Sequence, residues 1–174
     1  MKNIATGSIG RIIYAHLEPE EDLYQAILDI AESEKINTGL VLDITGGLSR
    51  VRLSMPLEAG PVESAPGVIE LEGLTEAMGS GVIGRTIDSW SSEKSGIENV
   101  AGQPYAHVHM SVTTAGRTHT GHLIHGCKVR SVHPNSHFTI VLAEVEGVNL
   151  EFRSSEETAS DYPHGIPFHR LEQL

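Results

Sequence analysis

From Tyr105 to Leu123 polar and apolar side chains alternate on both sides of a short glycine-bearing break, the pattern of a β-hairpin. On the outgoing arm His107, His109 and Ser111 fall on one side, and Ala106, Val108, Met110 and Val112 on the other. A period of two marks a strand with one buried face. Thr113-Thr114-Ala115-Gly116 supplies a turn, and Arg117 to Leu123 the return strand.

The rest of the chain reads mainly as further strands. Residues 11–17 form an apolar-rich strand. Pro19, at a first helical position, with Glu20, Glu21 and Asp22 after it, predicts a helix over 20–34. Leu23, Ala26, Ile27, Ile30 and Ala31 recur there at helical spacing and form a core-facing stripe. Residues 40–45 read as a buried strand, broken by Gly46-Gly47, and 48–54 as a half-exposed one. A loop runs from Pro56 through Pro66-Gly67, and 68–72 is a short strand. Residues 74–83 fit a short helix or a bulged strand equally, and 88–102 read as a polar excursion. Strands at 138–145 and 148–152 follow. The plan is α+β, mostly antiparallel sheet with one early amphipathic helix. It divides into an N-terminal segment 1–10, a domain 11–153 and a peripheral extension 154–174.

Composition excludes several function classes. Twelve Lys and Arg stand against 23 Asp and Glu, a formal charge of −11 over 174 residues. Such a surface repels a polyanion, which argues against direct DNA binding. One cysteine, Cys127, rules out an internal disulfide and any cysteine-rich zinc module, and its apolar setting makes it a core residue. No apolar run is long enough for a membrane span, and residues 1–10 lack an apolar signal core, so the expected compartment is the cytoplasm.

Five of the ten histidines, His107, His109, His119, His122 and His125, lie in or just after the hairpin. Residues two apart in a strand share a face, so His107 and His109 can reach one metal ion from a rigid support. The return strand can add a third ligand. With an even loop and Thr113 opposite Gly116, His107 faces His122; with an odd loop the parity flips and His119 takes its place. Three protein ligands leave a coordination position for water or substrate. His16, His133, His137, His164 and His169 share no spacing and read as surface or loop residues.

These residues resemble the PPC family (plants and prokaryotes conserved domain). The resemblance rests on His107-Val-His-Met-Ser-Val, the turn at Gly116, Gly121-His122-Leu123 and an apolar strand ending near Glu144. Pro19 to Leu23, Ile36 to Gly39 with Ile44 to Leu48, Glu144 to Val148 and Phe152-Arg153 extend it over about 11–153. The family pattern has a Gly where Thr120 stands. The resemblance implies a PPC-like, acetolactate decarboxylase-like fold, a homotrimer, and a metal site, zinc or another divalent ion. By position that site falls on His107, His109 and His122. The related zinc enzymes space their ligands in a way that keeps His119 as an alternative. Plant members carry basic AT-hook segments that contact DNA, and no Arg-Gly-Arg-Pro core exists here.

Three functions follow as expectations. The first is a stand-alone trimeric metal-binding protein with a small-molecule or regulatory role. The second is a zinc-dependent lyase or hydrolase acting on a small carbonyl or ester, with Arg117 as a substrate contact and Glu70, Glu72 or Glu76 as acid or base. The third is a DNA-associated regulator whose partner supplies the basic surface.

Overall fold

The computed structural model describes residues 4–55, 67–92, 97–130, 138–153 and 168–174. The expected loop at 56–66 and residues His133, His137 and His164 lie outside the described residues. Among the described residues one helix, α1 (Leu23–Ser33), stands with eleven strands. They are β1 (Ser8–His16), β2 (Gly39–Met55), β3 (Gly67–Thr86), β4 (Trp90–Ser92), β5 (Ile97–Asn99) and β6 (Pro104–Thr114). Then follow β7 (Arg117–Leu123), β8 (Lys128–Val129), β9 (Thr139–Glu146), β10 (Val148–Arg153) and β11 (Phe168–Gln173).

All strands but β4 and β5 form one sheet, ordered β1-β9-β2-β7-β6-β3-β10-β11, with β8 beside β2. β2 also pairs with β3, so β2, β7, β6 and β3 close on themselves as a ring. The ring closes at the end of β7, where Leu123 and His122 pair with Leu53 and Ser54. Pairing is antiparallel throughout except between β3 and β10. The hairpin arms β6 and β7 lie in this ring, a rigid mount for side chains on their outer face.

α1 closes the core. Its buried Leu23, Tyr24, Ile27 and Ala31 join Val108, Met110 and Val112 of β6 in the main apolar cluster. Of these, Leu23, Ile27, Val108, Met110 and Val112 each contribute about 1.5–3 kcal/mol by leaving water.

The helix starts later than its sequence pattern predicts. Pro19, Glu20 and Glu21 precede it, and Asp22 is the N-cap. The reason is pairing elsewhere: the Glu20 amide donates to Val129 O and the Leu23 amide to Cys127 O, each at 2.9 Å. Glu20 adopts φ +66°, which no helical residue can. These three residues therefore form a strap along 127–129 and not a first helical turn.

Gly46-Gly47 bends a strand and does not end one. β2 runs through both residues, with Gly46 at φ +146°. A Cβ at Gly46 would stand 2.5 Å from the Phe138 ring. Before this point β2 pairs with β9, and after it with β8 and β7. Residues 74–83, which fit a helix or a bulged strand, are the middle of the long strand β3. Within the polar excursion at 88–102, β4 and β5 pair as a separate two-stranded sheet. No helix among the described residues is long and apolar enough to cross a membrane.

Candidate metal centre

The hairpin turn is the pair Ala115-Gly116, with φ +47° and +75°. Positive φ at both central residues is the signature of the two-residue type I′ turn, whose twist matches the strands. Thr114 therefore pairs with Arg117, and His109 faces His122. The even parity agrees with one of the two sequence alternatives, but the turn lies one residue later than expected. His109, not His107, is directly opposite His122, and His107 reaches it diagonally.

His107, His109 and His122 nonetheless gather on one face. Their ring centroids lie 4.6–5.1 Å apart. One nitrogen from each ring falls within 4.8 Å of the others. His107 Nε2 and His109 Nε2 are 3.2 Å apart. Two nitrogens bound to one tetrahedral zinc at about 2.0–2.1 Å would stand about 3.3 Å apart, so the spacing fits that ion. β6 supplies two of the rings and β7 the third, while the opposite faces of both strands enter the core.

Burial, with the nearby imidazoles of His122, His169 and His109 adding to its effect, lowers the His107 pKa to about 4. His122 is lowered by burial and by His109. Both rings are thus neutral at pH 7, the form with a lone pair to give.

His119 is opposite Val112, so it sits on the other face of the hairpin from the three rings. Arg117 is exposed at the turn, opposite Thr114, and the structure does not bring it to the cluster. Glu70 pairs with Arg50 and Arg52, Glu72 pairs with Arg50, and Glu76 is opposite Thr113, four pairs along β6 from His109. Cys127 is a core residue. Its Sγ accepts from the Arg52 amide and donates to the Arg52 carbonyl, and burial pushes the thiol up to about 12.

The sequence reading passed over His169. The end of the tail returns to the sheet as β11, paired with β10, and puts His169 Nε2 2.9 Å from His107 Nδ1. Burial lowers its pKa. Phe168-His169-Arg170-Leu171 does not alternate apolar with polar, and nothing local says which strand those residues meet.

The Plants and Prokaryotes Conserved (PCC) domain matches residues 4–133. No curated protein sequence matches the chain. Among solved structures, a plant- and prokaryote-conserved (PPC) protein from Pyrococcus horikoshii superposes with a TM-score of 0.70 at 20% identity, covering 99% of both chains. A metal-containing protein from Archaeoglobus fulgidus gives 0.70 at 16% identity, over 95% of this chain and 97% of its own. A protein from Bacteroides thetaiotaomicron with a provisional DNA-binding label gives 0.62 at 13% identity, over 94% and 96%. These likenesses show the fold.

Proposed function

This chain belongs to the Plants and Prokaryotes Conserved domain family, and from that premise we propose that it is a trimeric metal-binding protein whose zinc is held by His107, His109 and His122. The observation that carries the reading is the meeting of three imidazoles, one nitrogen from each, on a closed ring of strands. Burying several rings against one another is unfavourable unless they stay neutral and a cation takes up their lone pairs. The metal-containing neighbour of the same fold adds support. Zinc, when bound, supplies a Lewis acid.

Metal analysis of untagged protein tests this. Wild-type protein purifies with stoichiometric zinc, and His107→Ala does not. Metal at background in both would sink the reading.

The exposed apolar residues Ile9, Ile12 and Tyr14 on edge strand β1 support self-association, since single chains seldom leave such a group uncovered. Light scattering after size exclusion reads the mass: three chains agree with the proposal, one chain does not. The charge of −11 favours a small-molecule ligand over direct DNA contact.

A second reading is a zinc-dependent lyase or hydrolase. It is favoured by the solvent exposure of His109, which leaves the fourth coordination position within reach of a substrate. Turnover of small keto acids, hydroxy acids or esters that disappears with His107→Ala would establish it, and inactivity on all three would remove it.

A further inference from the structure

A neutral imidazole has one ring nitrogen with a lone pair in the plane and one that carries a proton. When one nitrogen binds a metal, the other must donate its proton, and the group that accepts it decides which nitrogen is which. His107 turns Nε2 toward His109 and Nδ1 toward His169. With Nε2 committed to the cluster, Nδ1 carries the hydrogen and His169 Nε2 is the acceptor 2.9 Å away.

His169 is itself held in place. It is paired with Phe152 across β10 and β11, and the two rings meet edge to face at 4.6 Å. Phe152 is fully buried and packs on Tyr105 at 4.4 Å. On its other side the His169 ring stands at 90° to that of His107, with centroids 4.9 Å apart. An edge strand thus delivers one imidazole to the back of a ligand ring and clamps it against a buried aromatic. His169 lies beyond the residues that the family domain matches, 4–133, so the contact belongs to the last strand of this chain.

We infer that His169 is a positioning residue for the metal centre: it accepts the Nδ1 proton of His107 and so commits the Nε2 lone pair of that ring to the metal. The inference rests on the three-histidine metal reading.

Zinc affinity, measured by competition with a chromophoric chelator, is the test, using wild type, His169→Ala and His169→Gln. Glutamine keeps an acceptor at the end of its side chain. His169→Ala weakens zinc binding about 10–100-fold, and His169→Gln recovers most of the loss. Nitrogen-15 NMR of the metal-free protein supplies a readout that packing alone would not move. His107 is protonated at Nδ1 in wild type and His169→Gln, and becomes a mixture of tautomers in His169→Ala. Zinc affinity of His169→Ala equal to wild type overturns the inference. So does a loss in His169→Gln as large as in His169→Ala with the His107 tautomer unchanged, because that pattern is lost packing. If wild type itself takes up no zinc, the metal reading fails and this one falls with it, which separates the two failures.

Discussion

His125 meets a carboxylate and a phenol ring, whereas His107 meets three other imidazoles. The Nδ1 of His125 lies 3.7 Å from Asp22 Oδ1, and its ring stands edge-on to Tyr24 at 4.7 Å. Asp22 also accepts from the Gly126 amide at 2.7 Å and the Gln25 amide at 3.1 Å, capping α1 and pinning 126–128 to the helix start. Burial alone would raise the Asp22 pKa, but the neighbouring His125 ring and the hydrogen bonds from the Gly126 and Gln25 amides outweigh it and hold the carboxyl below its ordinary value. Polar groups at that junction satisfy one another. At the hairpin, neutral rings crowd together and their lone pairs converge. A set of groups that completes itself is built for stability; on the proposed reading the converging lone pairs serve a cation.

Substitutions can break this contrast, starting with the largest effect. His107→Ala removes zinc uptake, from stoichiometric to background, while the metal-free protein keeps its unfolding free energy to within about 0.5 kcal/mol, as for most half-exposed positions. Metal analysis and chemical denaturation read the two quantities. Asp22→Ala does the reverse. It loses a helix cap and leaves the Gly126 amide without its acceptor, costing about 1–3 kcal/mol of stability with zinc uptake unchanged. If Asp22→Ala lost zinc as fully as His107→Ala, the two regions would be one site.

Acid sharpens the contrast further. In the unfolded chain His107 titrates near 6.5, and in the fold near 4. Between those values the unfolded state binds a proton that the folded state does not, so stability rises with pH. The contribution is complete above about 6.5, declines as pH falls toward 4, and is level below that. Asp22 has a lowered pKa, so its contribution is present above 3.8 and is lost only below that value. Thermal unfolding of the metal-free protein from pH 7 to 3 should show both windows, and His107→Ala should reduce the upper one, to which His122 and His169 also contribute, while leaving the lower one in place. The smallest effect is at His119: on the opposite face of the hairpin, His119→Ala leaves zinc uptake unchanged and stability within about 0.5 kcal/mol. Loss of zinc there would overturn the assignment of faces.

Much of the candidate site was legible before folding. Two residues apart on a strand is the same face, so His107 and His109 were certain to cluster once 105–112 was a strand. The third ring depended on loop parity, and parity depended on a turn that sequence left open. The structure placed the turn at Ala115-Gly116, one residue late, yet parity survived and His122 stayed on the face that carries His107 and His109. The helix stripe was read correctly, but its start was not, because the Glu20 and Leu23 amides are spent on residues far along the chain. Gly46-Gly47 has the composition of a break. In the fold it is a bend where one strand changes partners, which only the packing of Phe138 against Gly46 explains.

By itself, the sequence determined what depends on near neighbours: the alternation of the hairpin, the shared face of His107 and His109, the amphipathic helix, and an acidity that disfavours direct contact with nucleic acid. The tertiary structure decided the rest. It put His122 opposite His109, closed β2 against both β7 and β3, and brought His169 from the last strand to the back of His107. Local periodicity follows from backbone geometry, which every residue carries with it. The pairing of distant strands follows from which apolar faces can be buried together, and that is a property of the whole chain.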